Sequence, residues 1–429
     1  MRSLLGRFHR PNTRSQTEQL FMLNSLGDGS TLSLDFTTGV LDPRLTFTRS
    51  TTGTFINSSG YVTSAAINAP RFDYDPTTTP PTPRGLLIEG SASNLCPNSQ
   101  ALTTGWGNAN MITPTNPAIT DPFGGTSATW KLVAASGSAL HSWRHPVITL
   151  TAAAHTFSFW AKAAEYDRVI FSDPGSGIGA CTFVLTGNGT ATVVGGATNP
   201  LITLYPNGWY RCSVTITTLA TAYAFGIVGY PSSGSTLSNF GAIYTANGTD
   251  GAYATGLQIE LGSGASSYIP TGASTGNRAA DDCLIDNIST AFGFNAAEGT
   301  ILVKYGNRLN TGSMRSYTFL PASGAANQMF ETAGVALNVY SSSIFTAQIG
   351  STNASAGRVC AAYKVDDFAA SVNGGAVSTD TSGALATSLT RLSIGGTIVN
   401  AAGYNFGPIS LFKYWPTRLP DAQLQVLST

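Results

Sequence analysis

Charge is the scarcest ingredient of this sequence. Lys and Arg number 22 and Asp and Glu 22, so only 10% of 429 residues are charged and the net charge is zero. An ordinary soluble domain carries roughly 25%. With 42% apolar residues, disorder driven by high charge and low hydrophobicity is excluded for the bulk of the chain. The balance of signs also argues against nucleic acid as a partner, because no basic excess exists to release counterions. Long apolar runs are missing too. Cys212 to Thr249 is free of charge, but its most apolar part, Leu219 to Tyr230, falls well short of the ~20 residues of a helical span and is rich in Thr and Gly. No membrane insertion is expected.

Histidine and cysteine are sparse. His141 and His145 have the i,i+4 spacing of helical metal ligands, yet their surroundings alternate as a strand, which would hold the imidazoles roughly 13 Å apart. No C-x-x-C pair exists among Cys96, Cys181, Cys212, Cys283 and Cys360, so buried reduced thiols are expected and neither a metal site nor a cofactor. Gly272-Ala-Ser-Thr-Gly276 matches a nucleophile elbow only in letters, since no strand leads into it and no helix follows. Acidic pairs able to hydrolyse a glycoside are limited to Asp73/Asp75, Glu89, Glu165/Asp167, Asp281/Asp282 and Asp366/Asp367, and no Asp-x-Asp-x-Asp calcium loop occurs.

What is abundant is Ser, Thr, Asn, 47 Gly, 21 Pro and 10% aromatics, the composition of β-structure with many turns. The length suggests about two or three domains. Residues 1–30 read as an arm: Arg2, Arg7, Arg10 and Arg14 precede any carboxylate, and Leu20, Phe21, Met22 and Leu23 form a short apolar patch. The arm has no apolar core of signal-peptide length; it is Arg-rich as an organellar transit peptide is, although Pro11 and the lack of a sustained helical face tell against that.

From Thr31 period-two alternation sets in, with Leu32, Leu34 and Phe36, then Leu45 and Phe47. Residues 31–94 form an N-terminal β-region interrupted by a Pro-rich loop after Asp75. Residues 95–280 read as a β-sandwich, in which Tyr210, Cys212, Val214 and Ile216 share one face and Asn188-Gly, Asn207-Gly and Asn247-Gly mark hairpins. The segment 281–297, together with the polar run from Thr271, reads as a linker. A second sandwich, 298–429, contains a short strand from Phe368 to Val372 and ends in a one- or two-turn helix with Leu419, Leu424 and Leu427 inward. The fold class is therefore all-β: two antiparallel β-sandwich domains of jelly-roll or concanavalin A-like type behind an arm.

Several phrases together resemble a family of tailed-bacteriophage virion proteins, the head spikes, head fibres and tail fibres with lectin-like domains. They are Leu45-Thr-Phe-Thr-Arg-Ser, Asn68-Ala-Pro-Arg-Phe-Asp-Tyr-Asp-Pro, Arg84-Gly-Leu-Leu-Ile-Glu-Gly, Phe157-Ser-Phe-Trp-Ala-Lys-Ala, Asn207-Gly-Trp-Tyr-Arg-Cys, Gly256-Leu-Gln-Ile-Glu-Leu-Gly and Ser267-Tyr-Ile-Pro-Thr. The closing Tyr414-Trp-Pro-Thr-Arg-Leu-Pro-Asp is similar to the end of concanavalin A-like, laminin-G-like modules in such proteins. The resemblance covers roughly residues 32–428 and departs at Gly90-Ser-Ala-Ser, where the family often has a charged stretch. It implies a carbohydrate-binding-module-like sandwich followed by a concanavalin A-like one, shown on a virion, and it supplies no catalytic residue.

The expectation is thus a non-enzymatic virion protein, made in the host cytoplasm and assembled as a homo-oligomer, most simply a trimer. It would be anchored to capsid or tail by the arm and would adhere to surface glycans. The competing readings are a decoration protein without glycan binding and a polysaccharide depolymerase. Trp106, Trp143 and Arg144 are the candidate sugar contacts, being nearer loops. Trp160 and Trp209, in regular strands, are expected to pack.

Overall fold

The computed structural model describes residues 28–173, 177–219, 222–306, 314–324, 326–332, 335–350, 357–396, 405 and 407–429. Within them, α-helix is confined to Ile288–Phe292 and Asp421–Leu427, and every strand pairing is antiparallel. The chain is all-β with two sandwiches, as its alternation predicts. None of the described helices is long and apolar enough to cross a membrane.

The central sandwich is made by the middle of the chain. One sheet runs, in spatial order, Thr190–Gly195, Gly179–Val184, Arg168–Ser172, Gly226–Gly229, Gly137–Arg144, Gly241–Ala246 and Thr236–Ser238, with Gly107–Ala109 added on Gly137–Arg144. The facing sheet is Ala197–Leu204, Trp209–Thr217, Ala154–Ala163, Gly251–Leu261 and Trp130–Val133. Alternation decides which side chains lie between them. Phe157, Phe159 and Ala161 from one strand meet Tyr210, Cys212, Val214 and Ile216 from the next, and all are buried in one core.

The terminal sandwich is made by both ends of the chain. Its first sheet runs Ser378–Asp380, Phe368–Val372, Gly357–Lys364, Glu298–Tyr305, Gly407–Trp415, Thr82–Ile88 and Phe72–Asp75, with Leu32–Asp35 added on Gly407–Trp415. The second runs Thr46–Thr48, Asp282–Asp286, Arg391–Ile394, Tyr317–Leu320, Gln328–Thr332, Val335–Ser341 and Ile344–Gly350. Leu424 of the last helix is buried, with Leu419 and Leu427 packed beside it, as read from the sequence.

Two boundaries drawn from the sequence are corrected here. The 31–94 region is no separate unit: Leu32 pairs with Tyr414 and Phe47 with Cys283, and Leu32, Leu34, Phe36, Leu45, Phe47, Leu86 and Ile88 share a core with residues 283–414. The 281–297 segment is not a linker. It supplies the strand Asp282–Asp286 and a helix whose Ile288 and Phe292 are buried in that core. The polar run before it is also structured, for Gly276–Arg278 pairs with Ala92–Asn94. The helix Ile288–Phe292 therefore lies mid-chain. The central sandwich is an insertion between the two halves of the terminal one.

Glycines allow the closest approaches where the halves meet. Gly85, at φ +109°, lies where a Cβ would come within 2.2 Å of the Ile409 carbonyl oxygen. Gly256, at φ +63°, sits where the register slips between Ser158 and Trp160, and a Cβ there would meet the Trp160 ring at 2.7 Å. That is the bulge role of a left-handed glycine.

Candidate functional site: the cleft between the sandwiches

The strand Ala154–Ala163 turns Phe157 and Phe159 inward, which sends Trp160 to the other side of the sheet. Trp209 alternates against Tyr210 in the same way. On that outer face Trp160, Tyr205, Trp209 and Tyr268 pack with Ile56 and Val62 from the hairpin Gly53–Ile56/Val62–Ala65. This aromatic layer joins the sandwiches, so Trp160 and Trp209 do pack, but outside the sandwich core.

Beside the layer lies a buried ion cluster. Arg71 Nη1 donates to Glu89 (2.7 Å), the Thr54 carbonyl (2.9 Å) and Ser267 Oγ (2.8 Å), while Nη2 pairs with Asp281. Arg49 holds the other Asp281 oxygen at 3.0 Å, and the Glu89 amide donates to Asp281 at 2.9 Å. Arg278 reaches Glu89 at 3.2 Å and the Gly90 carbonyl at 2.7 Å. Burial alone pushes the Glu89 carboxyl up, but the Arg278 and Arg71 guanidiniums and two Ser267 donors outweigh it and hold the group at about 2. The carboxylates of the cluster are matched by its own guanidiniums, although the Nε atoms of Arg71 and Arg278 are buried without a hydrogen-bond partner. Its role is to fix one sandwich on the other.

Against cluster and aromatics opens a cleft of about 400 Å³. One wall comes from the terminal sandwich edge: Asp73, Arg84, Leu87 and Pro408. The other is the outer face of the central sandwich, with Leu201, Thr203, Arg211 and Ser213 over a floor of Trp160, Tyr205 and Tyr268. Leu201 and Thr203 lie on the edge strand directly opposite Ser213 and Arg211. Such a mixture of flat rings, hydroxyls and charged hydrogen-bonding groups matches a small polar ligand with apolar faces.

Asp73 is the unusual acid of the cleft. Burial pushes its carboxyl up to about 6, against the Ile56 amide that donates to it at 2.8 Å and Arg84 at 3.7 Å. Glu89 and Arg71 also act on it, with opposite signs. A folded-state value above that of the unfolded chain means a contribution to stability that is complete below about pH 4 and lost as pH rises through 6. Stability should therefore fall by up to about 3 kcal/mol across that window, and Asp73→Asn should flatten the slope. Denaturant midpoints measured from pH 4 to 7 that are parallel in both proteins would contradict this.

The residues singled out from sequence lie elsewhere. Trp143 is buried in the central core, its indole N–H donating to the Leu102 carbonyl at 2.8 Å. Trp106 is also buried, edge-on to His145 at 5.1 Å. Arg144 is half-buried and paired in register with Gly107, so the three are neighbours. Neither tryptophan offers an open face on which a sugar ring could stack. The physical reason is that both side chains belong to the apolar core between the two sheets of the central sandwich, with Gly107–Ala109 paired beside Gly137–Arg144 as a strand where the sequence reads as loop. His145 borders a second cavity of about 340 Å³, lined by Leu95, Pro97, Pro146, Ile148 and Thr275.

The anchoring residues Arg2, Arg7, Arg10, Arg14, Leu20, Phe21, Met22 and Leu23 lie outside the described residues. All five cysteines are buried and unbridged, with burial pushing the Cys181 and Cys360 thiols up to about 12. Among the described residues no group of His, Cys, Asp or Glu could hold a metal ion. Sequence reasoning missed Arg211, Arg84 and Tyr205 as site residues, and it weighed Asp73 only as half of an acidic pair with Asp75. A signal for the first existed: Trp209, Arg211 and Ser213 alternate against the apolar face, so a large ring and a cation share the supposedly outward side.

No family model matches the chain, and no curated protein matches it. Solved structures give distant similarities. The Ruminococcus gnavus IT-sialidase CBM40 bound to α2,3-sialyllactose aligns with 34% of this chain and 91% of its own, at 14% identity and a TM-score of 0.27. Mouse laminin α1 domains LG4–5 align with 66% of this chain and 89% of theirs, at 11% identity and 0.22. The Trypanosoma rangeli sialidase in complex with the inhibitor DANA aligns with 70% of this chain and 60% of its own, at 10% identity and 0.25.

Proposed function

We propose that this protein is a non-enzymatic glycan-binding component of a tailed-bacteriophage virion, a fibre or spike that uses the cleft between its sandwiches as the sugar site. The observation that carries the reading is the cleft itself, where an aromatic floor faces Arg84, Arg211, Thr203 and Ser267. The polar groups suit the hydroxyls of a pyranose, and the buried rings beneath them give the cleft a rigid apolar base. The virion part rests on the family resemblance. Its phrases around Arg49, Arg71, Glu89, Trp160, Arg211, Glu260 and Ser267 come together at the junction, as expected if they encode the docking of two lectin-like modules. Assembly as a homotrimer and anchoring by residues 1–30 belong to the same proposal.

Glycan-array binding tests the site. Wild-type protein should bind a subset of oligosaccharides, and Thr203→Trp, which fills the cleft from its half-buried rim, should lose at least tenfold in affinity while melting like wild type. Unchanged binding by that variant would move the site elsewhere. For the anchor, a chain lacking residues 2–24 should fold and remain soluble yet be absent from particles. Incorporation at wild-type copy number would refute it.

A further inference from the structure

Within the cleft one cation has no direct ion pair, although the buried Glu260 carboxylate acts on it from a distance. Arg211 lies directly opposite Trp160 in the strand register, with its guanidinium carbon 4.9 Å from the Trp160 ring centre. Its Nη2 donates to the Ser266 carbonyl at 2.7 Å and reaches Ser158 Oγ at 3.4 Å. Its Nε is buried without a hydrogen-bond partner, and so is the indole N–H of Trp160, a fully buried ring lining the cleft. No described carboxylate lies within ion-pair distance of Arg211, whereas Arg71 and Arg278 each contact Glu89 and Arg84 contacts Asp75 at 3.1 Å. Stacking on an indole fixes the plane of the guanidinium.

The second cation, Arg84, is paired with Asp75 at 3.1 Å and Asp73 at 3.7 Å. Arg84 is half-exposed on the opposite wall, and the Tyr205 hydroxyl lies within the electrostatic reach of Arg211, Arg84 and Asp73 together. Of the two carboxylates lining the cleft, Glu89 is already matched by Arg71 and Arg278. The other, Asp73, faces Arg84. Arg211 is therefore the arginine of the cleft that holds no direct ion pair.

We propose that the cleft takes an acidic oligosaccharide and that Arg211, held on the buried Trp160 ring, binds the carboxylate of a sugar acid. A planar carboxylate accepts two parallel hydrogen bonds from a guanidinium edge, which a neutral hydroxymethyl group cannot do. This rests on the glycan-binding reading of the same cleft and adds the class of sugar.

The test uses the full chain and an array of uronate- and nonulosonate-containing oligosaccharides, each printed beside its methyl-esterified form. At least one acidic sugar should bind, with a tenfold or greater loss on esterification and a similar loss in R211Q. R211K, which keeps charge without the bidentate edge, should recover only part. A second variant guards against a folding defect in R211Q. T203E places a carboxylate on the cross-strand neighbour of Arg211 as an internal competitor, and it should weaken acidic-sugar binding at least tenfold more than the isosteric T203Q. Equal binding of acids and esters, or T203E no weaker than T203Q, would overturn the inference and leave a neutral-glycan site. Binding to no sugar at all would overturn the glycan reading with it.

Discussion

Replacing Arg71 by methionine should cost about 3–5 kcal/mol, the penalty for breaking a buried ion pair from one side. Four interactions leave with the guanidinium: to Glu89, Asp281, the Thr54 carbonyl and Ser267. Glu89 keeps Arg278 and Asp281 keeps Arg49, so the carboxylates are not stripped bare, yet each loses half its compensation in a site closed to water. The Thr54 carbonyl loses a donor as well, which adds the cost of a buried unsatisfied acceptor. Equilibrium urea unfolding at pH 7 measures the loss; a value below 1 kcal/mol would show that the cluster is dispensable. Acid should reveal the same group from the other side. Glu89 is held at about 2 in the folded chain, below the usual carboxylate range, so its contribution is complete above about pH 4.5 and drains away as pH falls toward 2.

Phe157→Ala should be of similar size, about 3–5 kcal/mol. The ring is fully buried between the sheets of the central sandwich, 4.3 Å from the Phe225 ring centre and 5.1 Å from that of Phe171. Its neighbours stand on strands locked by pairing on both sides, so the void can collapse only in part. Tyr210→Ala should fall near it, losing a buried ring and the hydroxyl bond to the Gly187 carbonyl at 2.7 Å. Thermal melts followed by near-UV circular dichroism report the loss. A midpoint within one or two degrees of wild type would mean that the core re-closes around the cavity.

Those two residues were legible from alternation alone, and the contrast with Arg71 shows where legibility stops. Period two states which face a side chain takes, and it placed Tyr210, Cys212, Val214 and Ile216 correctly. It does not state which strand comes alongside. Leu32 pairs with Tyr414 across almost the whole chain, and nothing local to either residue specifies that. The polar run ending at Asp281 looked like a linker because charge normally means solvent. Its Arg278 and Asp281 are buried because their partners, Glu89, Arg71 and Arg49, arrive from far away in sequence. Asn247-Gly misled for a related reason: it turns the chain from one sheet of the central sandwich to the other, since Gly241–Ala246 and Gly251–Leu261 are not paired. The cleft was invisible for the same cause, its two walls being remote segments.

The nested order of the sandwiches sets a timetable for synthesis. Glu89 is made 192 residues before Asp281, the acceptor of its backbone amide. At roughly 5–20 residues per second a ribosome takes about 10–40 s to cover that distance. The central sandwich is complete in sequence by then and can close while the first strands still wait. During the interval the apolar stretch from Leu32 to Phe47 and Leu86-Leu-Ile has no sheet to join. Threonine, proline and arginine interrupt these stretches, and such residues hinder premature edge-to-edge pairing. The last strand to leave the ribosome, Gly407–Trp415, is the one on which Leu32–Asp35 and Thr82–Ile88 both close, so a truncated nascent chain would carry a folded middle and unclosed ends.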